Sequence, residues 1–358
     1  MTPVTDIVMS NIHFTHYTLE RLMTMTDARS TNRFRLGLMF AITSAFAFGL
    51  SGPLAKSLME AGWTPTAAVT ARLAGGALAM AVFASFAKPG WFREALEHRR
   101  TIIAYGVVPV AGAQFCYYNA VSHLSVGVAL LLEYTAPILV VGWLWARTRR
   151  RPGHLTLAGV AIAITGITLV LDVFSGAHIN STGVLWGLAA AVCAACYFMM
   201  SEKASSDGTG LSPITLAAAG LIVGAVAVAA LGVSGVMPMR FSTANAAVAG
   251  LTLPWFVPVI ALAVIPTAIA YTLGIMGVAR LRPRFASLVG LSEVLFAVLA
   301  AWALLGEAIT VTQTVGGAVV LLGLALARQG DRTEQVAQAN WPDVPPVQPS
   351  AGQPISRS

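Results

Sequence analysis

The sequence predicts an all-α integral membrane protein with ten transmembrane helices arranged as two inverted five-helix repeats. Three observations carry this. Only 10% of the 358 residues are charged and 56% are hydrophobic, whereas a soluble domain has about 25% charged residues. Apolar runs long enough to cross a bilayer recur along the chain. The second half also repeats the first, with the charges of its loops reversed.

Residues 1–34 are polar and unpatterned and read as a cytoplasmic N-terminal segment. The first apolar run starts at Leu36 and is too long for the core of a signal peptide. Ten helices follow, near 36–58, 66–87, 101–121, 126–146, 155–174, 182–200, 214–233, 255–278, 285–305 and 311–327. Connections are short except 234–254. Residues 329–358 are rich in Gln, Pro and Ser and are expected to be a disordered cytoplasmic tail. The repeats then occupy 35–175 and 176–328. With the N-terminus inside, 19 of the 22 Lys and Arg fall on the inner side. Only Lys56 and Arg240 lie outside, and Arg72 lies within a helix. This asymmetry predicts a cytoplasmic-membrane protein with both termini in the cytoplasm.

The repeat appears when residues 103–170 are laid on 260–327, an offset of 157. Seventeen of the 68 positions are identical without a gap, among them Pro109/Pro266, Trp145/Trp302, Gly159/Gly316 and Gly166/Gly323. About six matches are expected by chance at this composition. Predicted helices 3–5 thus correspond to helices 8–10. A repeat of five helices, an odd number, must enter the membrane upside down the second time. The loops agree. The connection Ser122-His123-Leu124-Ser125 has no Lys or Arg, while its counterpart holds Arg280, Arg282 and Arg284. Inverted repeats around a midplane site are the plan of alternating-access transporters.

The run Ala286-Ser-Leu-Val-Gly-Leu-Ser-Glu293-Val-Leu-Phe-Ala-Val-Leu-Ala-Ala-Trp-Ala-Leu-Leu-Gly306-Glu307, followed by Gly316 and Gly323, resembles EamA-type proteins of the drug/metabolite transporter superfamily. The resemblance covers about 36–327. That family usually has Glu-Pro near the start of this run and Gly-Glu at its end. Here Val294 replaces the proline, whereas Pro137 stands at the matching position of the first repeat. A helix break is therefore less expected in helix 9 than in helix 4. Arg72 also matches a position where the family often has Arg. The resemblance implies export or exchange of small metabolites, often amino acids or their relatives, without ATP hydrolysis.

Ionisable groups in a bilayer cost about 2.5–3.5 kcal/mol each by insertion scales. Three are candidates for substrate or proton coupling: Arg72, Glu133 and Glu293. Arg72 and Glu133 lie roughly 9 and 10 Å from the outer ends of their helices, so an ion pair between them is expected. That pair is read either as a static brace between helices or as a gated pair on the substrate path. The repeat partner of Glu293 is Ala136, one turn from Glu133. Either carboxylate can hold a substrate amine or a proton, or be a hydrogen-bonded structural residue. Gln114, Asn119, Tyr134 and Tyr271 are candidate cavity-lining groups. Tyr117 and Tyr118, near the outer surface, are expected in the interfacial belt, as are Trp143, Trp145 and Trp302. Pro109, Pro137 and Pro266 are expected to kink helices and free backbone carbonyls. The paired glycines suit helix packing.

The expected partners are a small-molecule substrate, the lipid bilayer and protons as coupling ion, and a homodimer is left open. No nucleic-acid partner is expected, because no basic face remains once the loops are set aside. Cys116, Cys193 and Cys196 read as small buried apolar groups, not metal ligands. No Walker A motif, metal-ligand cluster or phosphate loop occurs, so no cofactor or metal is expected and the chain does not read as an enzyme. Two rival readings remain. One is a channel or scaffold without a transport cycle. The other is an intramembrane serine protease, from Gly49-Leu-Ser51-Gly52, which needs a histidine base within a later helix.

Overall fold

The structure is a computed structural model and describes residues 34–149, 151–171, 180–206, 211–278, 280–281 and 283–339. It is mostly helical. Helix α1 spans Phe34–Glu60, α2 Pro65–Ala87, α3 Arg99–Val121, α4 Val126–Thr148 and α5 His154–Val170. Then follow α6 Ser181–Ser206, α7 Pro213–Val233, α8 Phe256–Gly277, α9 Pro283–Leu305 and α10 Val311–Ala339. Among the described residues α1, α2, α3, α4, α7 and α8 are long and apolar enough to cross a membrane. Helix α5 and the segments Ser181–Tyr197, Val289–Leu305 and Val311–Ala327 are shorter apolar helices.

Local chemistry sets the helix starts. Thr64 and Ser212 cap α2 and α7 through their hydroxyls, and Pro65 and Pro213 occupy the first helical position. There the missing N–H is not needed and the fixed φ suits a helix. Helix α9 ends at Gly306, whose φ of +70° turns its N–H to Trp302 O and that of Glu307 to Ala301 O. The bond from Gly306 N–H to Trp302 O four residues back is the αL form of helix termination.

Prolines interrupt three helices. Gly106–Gly112, around Pro109, and Val264–Ile269, around Pro266, are π-helical. Helix α4 is broken at Tyr134 and Thr135, just before Pro137. Helix α9 runs unbroken past Val294. Irregular helical geometry thus accompanies all three prolines, and α4 is interrupted while α9 is not.

Three features differ from expectation. A short helix, Trp91–Glu97, lies between α2 and α3. Part of the long 234–254 connection is a hairpin, β1 Ala246–Val248 with β2 Leu251–Leu253. Its two turn residues, Ala249 and Gly250, both have positive φ, as a type I′ turn requires. Helix α10 continues to Ala339, so the segment expected to be disordered from 329 begins as helix. Its Arg, Gln, Glu and Ala residues are good helix formers, and no proline occurs before Pro342. Arg150, Arg282, the segment 172–179, residues 1–33 and residues 340–358 lie outside the described residues.

Candidate functional site

Arg72 is buried, at 2% exposure, in the N-terminal half of α2. Its guanidinium reaches across to the π-helical break of α8. Nε donates to Thr267 Oγ1 at 3.2 Å and Nη2 to Pro266 O at 3.2 Å. Nη1 donates to Gln114 Oε1 and, at 3.3 Å, to Tyr118 OH. Proline creates this landing place. Pro266 has no N–H for the Leu262 carbonyl four residues back, and the Thr267 hydroxyl donates to that carbonyl instead, at 3.2 Å. Gly75 and Gly76 let α2 approach closely. A Cβ on Gly76 would collide with Thr267, and one on Gly75 with Ala263.

The expected ion pair between Arg72 and Glu133 is absent. Among the described residues the salt bridges within 4.0 Å are Lys56–Glu307 and Lys88–Glu94. Every hydrogen-bond partner of Arg72 is a neutral oxygen. Equal depth on two helices does not fix the direction in which each side chain points. Glu133 instead ends the first segment of α4, and its carboxylate has no hydrogen-bond partner among the described residues. It lies within electrostatic reach of Arg72, Glu293 and Cys193. Tyr134 OH lies 2.7 Å from Glu293 Oε2 of α9 and 2.8 Å from Gly290 O, its single hydrogen shared between the two acceptors.

Arg72, Gln114, Glu133, Tyr134 and Glu293 thus share one polar region. Tyr271 joins it through the field of Arg72 and packs edge-on against Phe48 at 5.1 Å. Asn119 does not join, because its amide donates to Phe115 O in its own helix at 2.8 Å. Tyr117 and Tyr118 are buried, at 4% and 0% exposure, and not in an interfacial belt. Tyr118 bonds Arg72 on one side and Ser51 Oγ, at 3.0 Å, on the other. Ser51, the nucleophile of the protease reading, therefore faces a tyrosine. Trp143, Trp145 and Trp302 are exposed. Sequence reasoning missed Thr267 and Tyr118 as parts of the Arg72 network. The available signals were the Pro266-Thr267 pair and the position of Tyr118 one turn after Gln114.

The sequence profile of the EamA-like transporter family matches residues 35–172 and 181–329. The chain belongs to the EamA-like transporter family. It is similar to the threonine/homoserine exporter RhtA of Escherichia coli K12, with 30% identity over 275 residues, 75% of this chain and 83% of that one. It is also similar to the uncharacterized inner membrane transporter YicL of Salmonella typhimurium, with 24% identity over 82% of this chain and 95% of the relative. A protein of known crystal structure shares the fold at a TM-score of 0.54 and 19% identity, covering 85% of this chain and 99% of its own. An EamA-like chain with several apolar helices is a multi-pass membrane protein.

The Gly-Glu end of the EamA-like run has a structural use here. Glu307 is paired with Lys56 of α1, and its Oε2 accepts the Val126 N–H, at 3.1 Å, where α4 begins. On the far side of the fold Glu94 does the same for α7, accepting from Ser212 N at 2.6 Å, Thr215 Oγ1 at 2.7 Å and Lys88 at 2.9 Å. Each carboxylate sits at a helix N-terminus, where the helix dipole favours negative charge.

Proposed function

We propose that the chain is a secondary transporter of the bacterial cytoplasmic membrane that exports a small metabolite, an amino acid or a related compound, by alternating access. Its ten helices are two inverted five-helix repeats, with both termini cytoplasmic. The observation that carries this reading is where the buried polar bonds run. Arg72 of the first half is held by Pro266 and Thr267 of the second, and Tyr134 of the first half holds Glu293 of the second. A polar region shared by two halves can open to either side as the halves rock, as expected of a repeat-built transporter.

Contacts between α5 and α10 support the inversion. A Cβ on Gly159 would meet Gly323 O at 2.6 Å, and one on Gly166 would meet Gly316 O at 2.8 Å. The offset of 157 turns the first pair into the second with its members exchanged, the signature of a twofold relation. The two helices run antiparallel, as an in-plane axis requires. Matching π-helical segments at Pro109 and Pro266 point the same way. So do the left-handed helix ends at Arg149 and Gly306, also 157 apart. The family and the exporter among the relatives support export. Glu133 and Glu293 are the groups suited to proton coupling, being carboxylates at the shared region.

The test is overexpression with profiling of metabolites outside the cell, followed by uptake into inverted membrane vesicles with and without a proton gradient. Accumulation of a small metabolite that depends on the chain supports the reading. No change in any exported compound, with the protein present in the membrane, overturns it.

A further inference from the structure

We propose that Arg72 and Glu133 are the two ends of a clamp for a zwitterion, so that the cargo is a free α-amino acid bound by both of its charged groups. This rests on the exporter reading and names the substrate class of the same site.

Consider Arg72 first. A guanidinium has five N–H donors. Four are taken by Thr267, Pro266, Gln114 and Tyr118, all neutral, which leaves one Nη2 hydrogen unassigned. A buried cation with no carboxylate within 4.0 Å among the described residues is an anion site in waiting. Its four bonds also hold the fork rigid, as a binding group needs.

Glu133 is the complement. No described residue hydrogen-bonds its carboxylate. Among the described residues no side-chain oxygen is both sealed and unpartnered. Glu133 is half-buried, and its unpartnered oxygens are not fully sealed. The backbone adds a further acceptor. Pro137 has no N–H for the Glu133 carbonyl, and none of the N–H groups at the break turns to it; Thr135 N goes to Leu132 O and Ile138 N to Thr135 O. A carboxylate and a freed carbonyl on one residue suit an ammonium, which has three donors. Glu293 is the weaker candidate, being already held by Tyr134.

The two ends feel each other electrostatically yet do not touch. A ligand with one positive and one negative group answers both charges at once. A simple amine would leave Arg72 unpaired, and a simple carboxylate would leave Glu133 unpaired. Sites built from buried polar groups discriminate strongly against ligands that leave one unanswered.

The experiment uses the purified full-length protein in detergent or nanodiscs. It is titrated with the free L-α-amino acids and homoserine, read by thermal shift and calorimetry. At least one should bind saturably, and both its N-acetyl derivative, which lacks the ammonium, and its amide, which lacks the carboxylate, should bind at least tenfold more weakly. No described residue hydrogen-bonds the Glu133 carboxylate, so Glu133→Gln should unfold at the wild-type temperature, bind the parent amino acid at least tenfold more weakly and lose its discrimination against the N-acetyl derivative. If Glu133→Gln fails to reach the membrane, Glu133→Asp replaces it, with weakened affinity and retained discrimination expected. Unchanged affinity in either variant, or a derivative that binds as well as its parent, overturns the clamp. If the protein binds no amino acid yet exports another metabolite, the clamp falls and the exporter reading stands. If it exports nothing, the exporter reading falls, and the binding result still decides the clamp.

Discussion

The Tyr134 hydroxyl serves two acceptors, Glu293 at 2.7 Å and Gly290 O at 2.8 Å, and so fixes where the Glu293 carboxylate points. Glu293→Gln keeps the size and an acceptor oxygen but removes the charge. It should reach the membrane at wild-type abundance and lose transport or its pH dependence, measured as efflux per molecule of folded protein. Full efflux with an unchanged pH profile removes Glu293 from the mechanism. Glu94, outside the membrane-spanning helices, gives a second test. Burial raises its carboxyl, but the Ser212 N–H, the Lys88 ammonium and the Thr215 hydroxyl outweigh this and hold it below its ordinary value of 4.5. A lowered native pKa means that these contacts contribute their full stability above about pH 4.5. The contribution fades as pH falls through the native value. Glu94→Gln should lower stability at neutral pH by about 1 kcal/mol and flatten the acid limb of a thermal-unfolding profile. Arg72, Glu133 and Glu293 were legible in the sequence because a charge inside an apolar run stands out. Tyr118 and Thr267 were not, since burial and the direction of a hydroxyl depend on helix rotation, which residue depth leaves open. The same ignorance of rotation produced the expected Arg72–Glu133 pair.

Helices α5 and α10 meet backbone to backbone through their glycines. On Gly316 a Cβ would lie 2.7 Å from Val170 N and 2.9 Å from Leu169 Cβ. Such contacts force whole helices apart, so Gly316→Ala should destabilise the protein by about 1–3 kcal/mol, read as a lowered unfolding temperature in detergent. Gly142→Ala is the control, because open space surrounds that position. It should leave the unfolding temperature unchanged or raise it. If the two variants behave alike, close helix approach is not what the Gly316 position protects. The pattern of glycines seven apart was visible in the sequence, as were the three prolines. The hairpin at 246–253 and the helix 91–97 were not. Each is short, and the I′ turn at Ala249-Gly250 uses a positive φ at an alanine, where sequence gives no warning.

The arrangement of the halves is the largest claim and has a direct topological consequence. In the proposed repeats, residues 157 apart occupy equivalent places. If the second repeat is inverted, equivalent residues face opposite sides of the membrane; if it is merely duplicated, they face the same side. Pro152 and Ile309 are such a pair. Pro152 precedes α5 in an arginine-rich connection, and Ile309 precedes α10 beside Glu307. Ser122 and Arg280 form a second comparison, since 280 is one residue beyond the equivalent of 122 and lies in the connection that matches it. The sequence identities are the reason to propose the repeat, and the loop charges the reason to propose its inversion. Neither shows how the halves meet, because the exchange of glycine partners between α5 and α10 is a property of three dimensions. Single cysteines at these four positions, in a background lacking the three native cysteines, should separate the cases with a membrane-impermeant thiol reagent on intact cells. Ser122→Cys and Ile309→Cys should label, while Pro152→Cys and Arg280→Cys should label only after the cells are opened. Labelling of Pro152→Cys and Ile309→Cys from one side would leave the polar bridge from Arg72 to Pro266 and Thr267 intact. It would remove the inverted symmetry, and with it the reason to expect two interconverting states of similar energy.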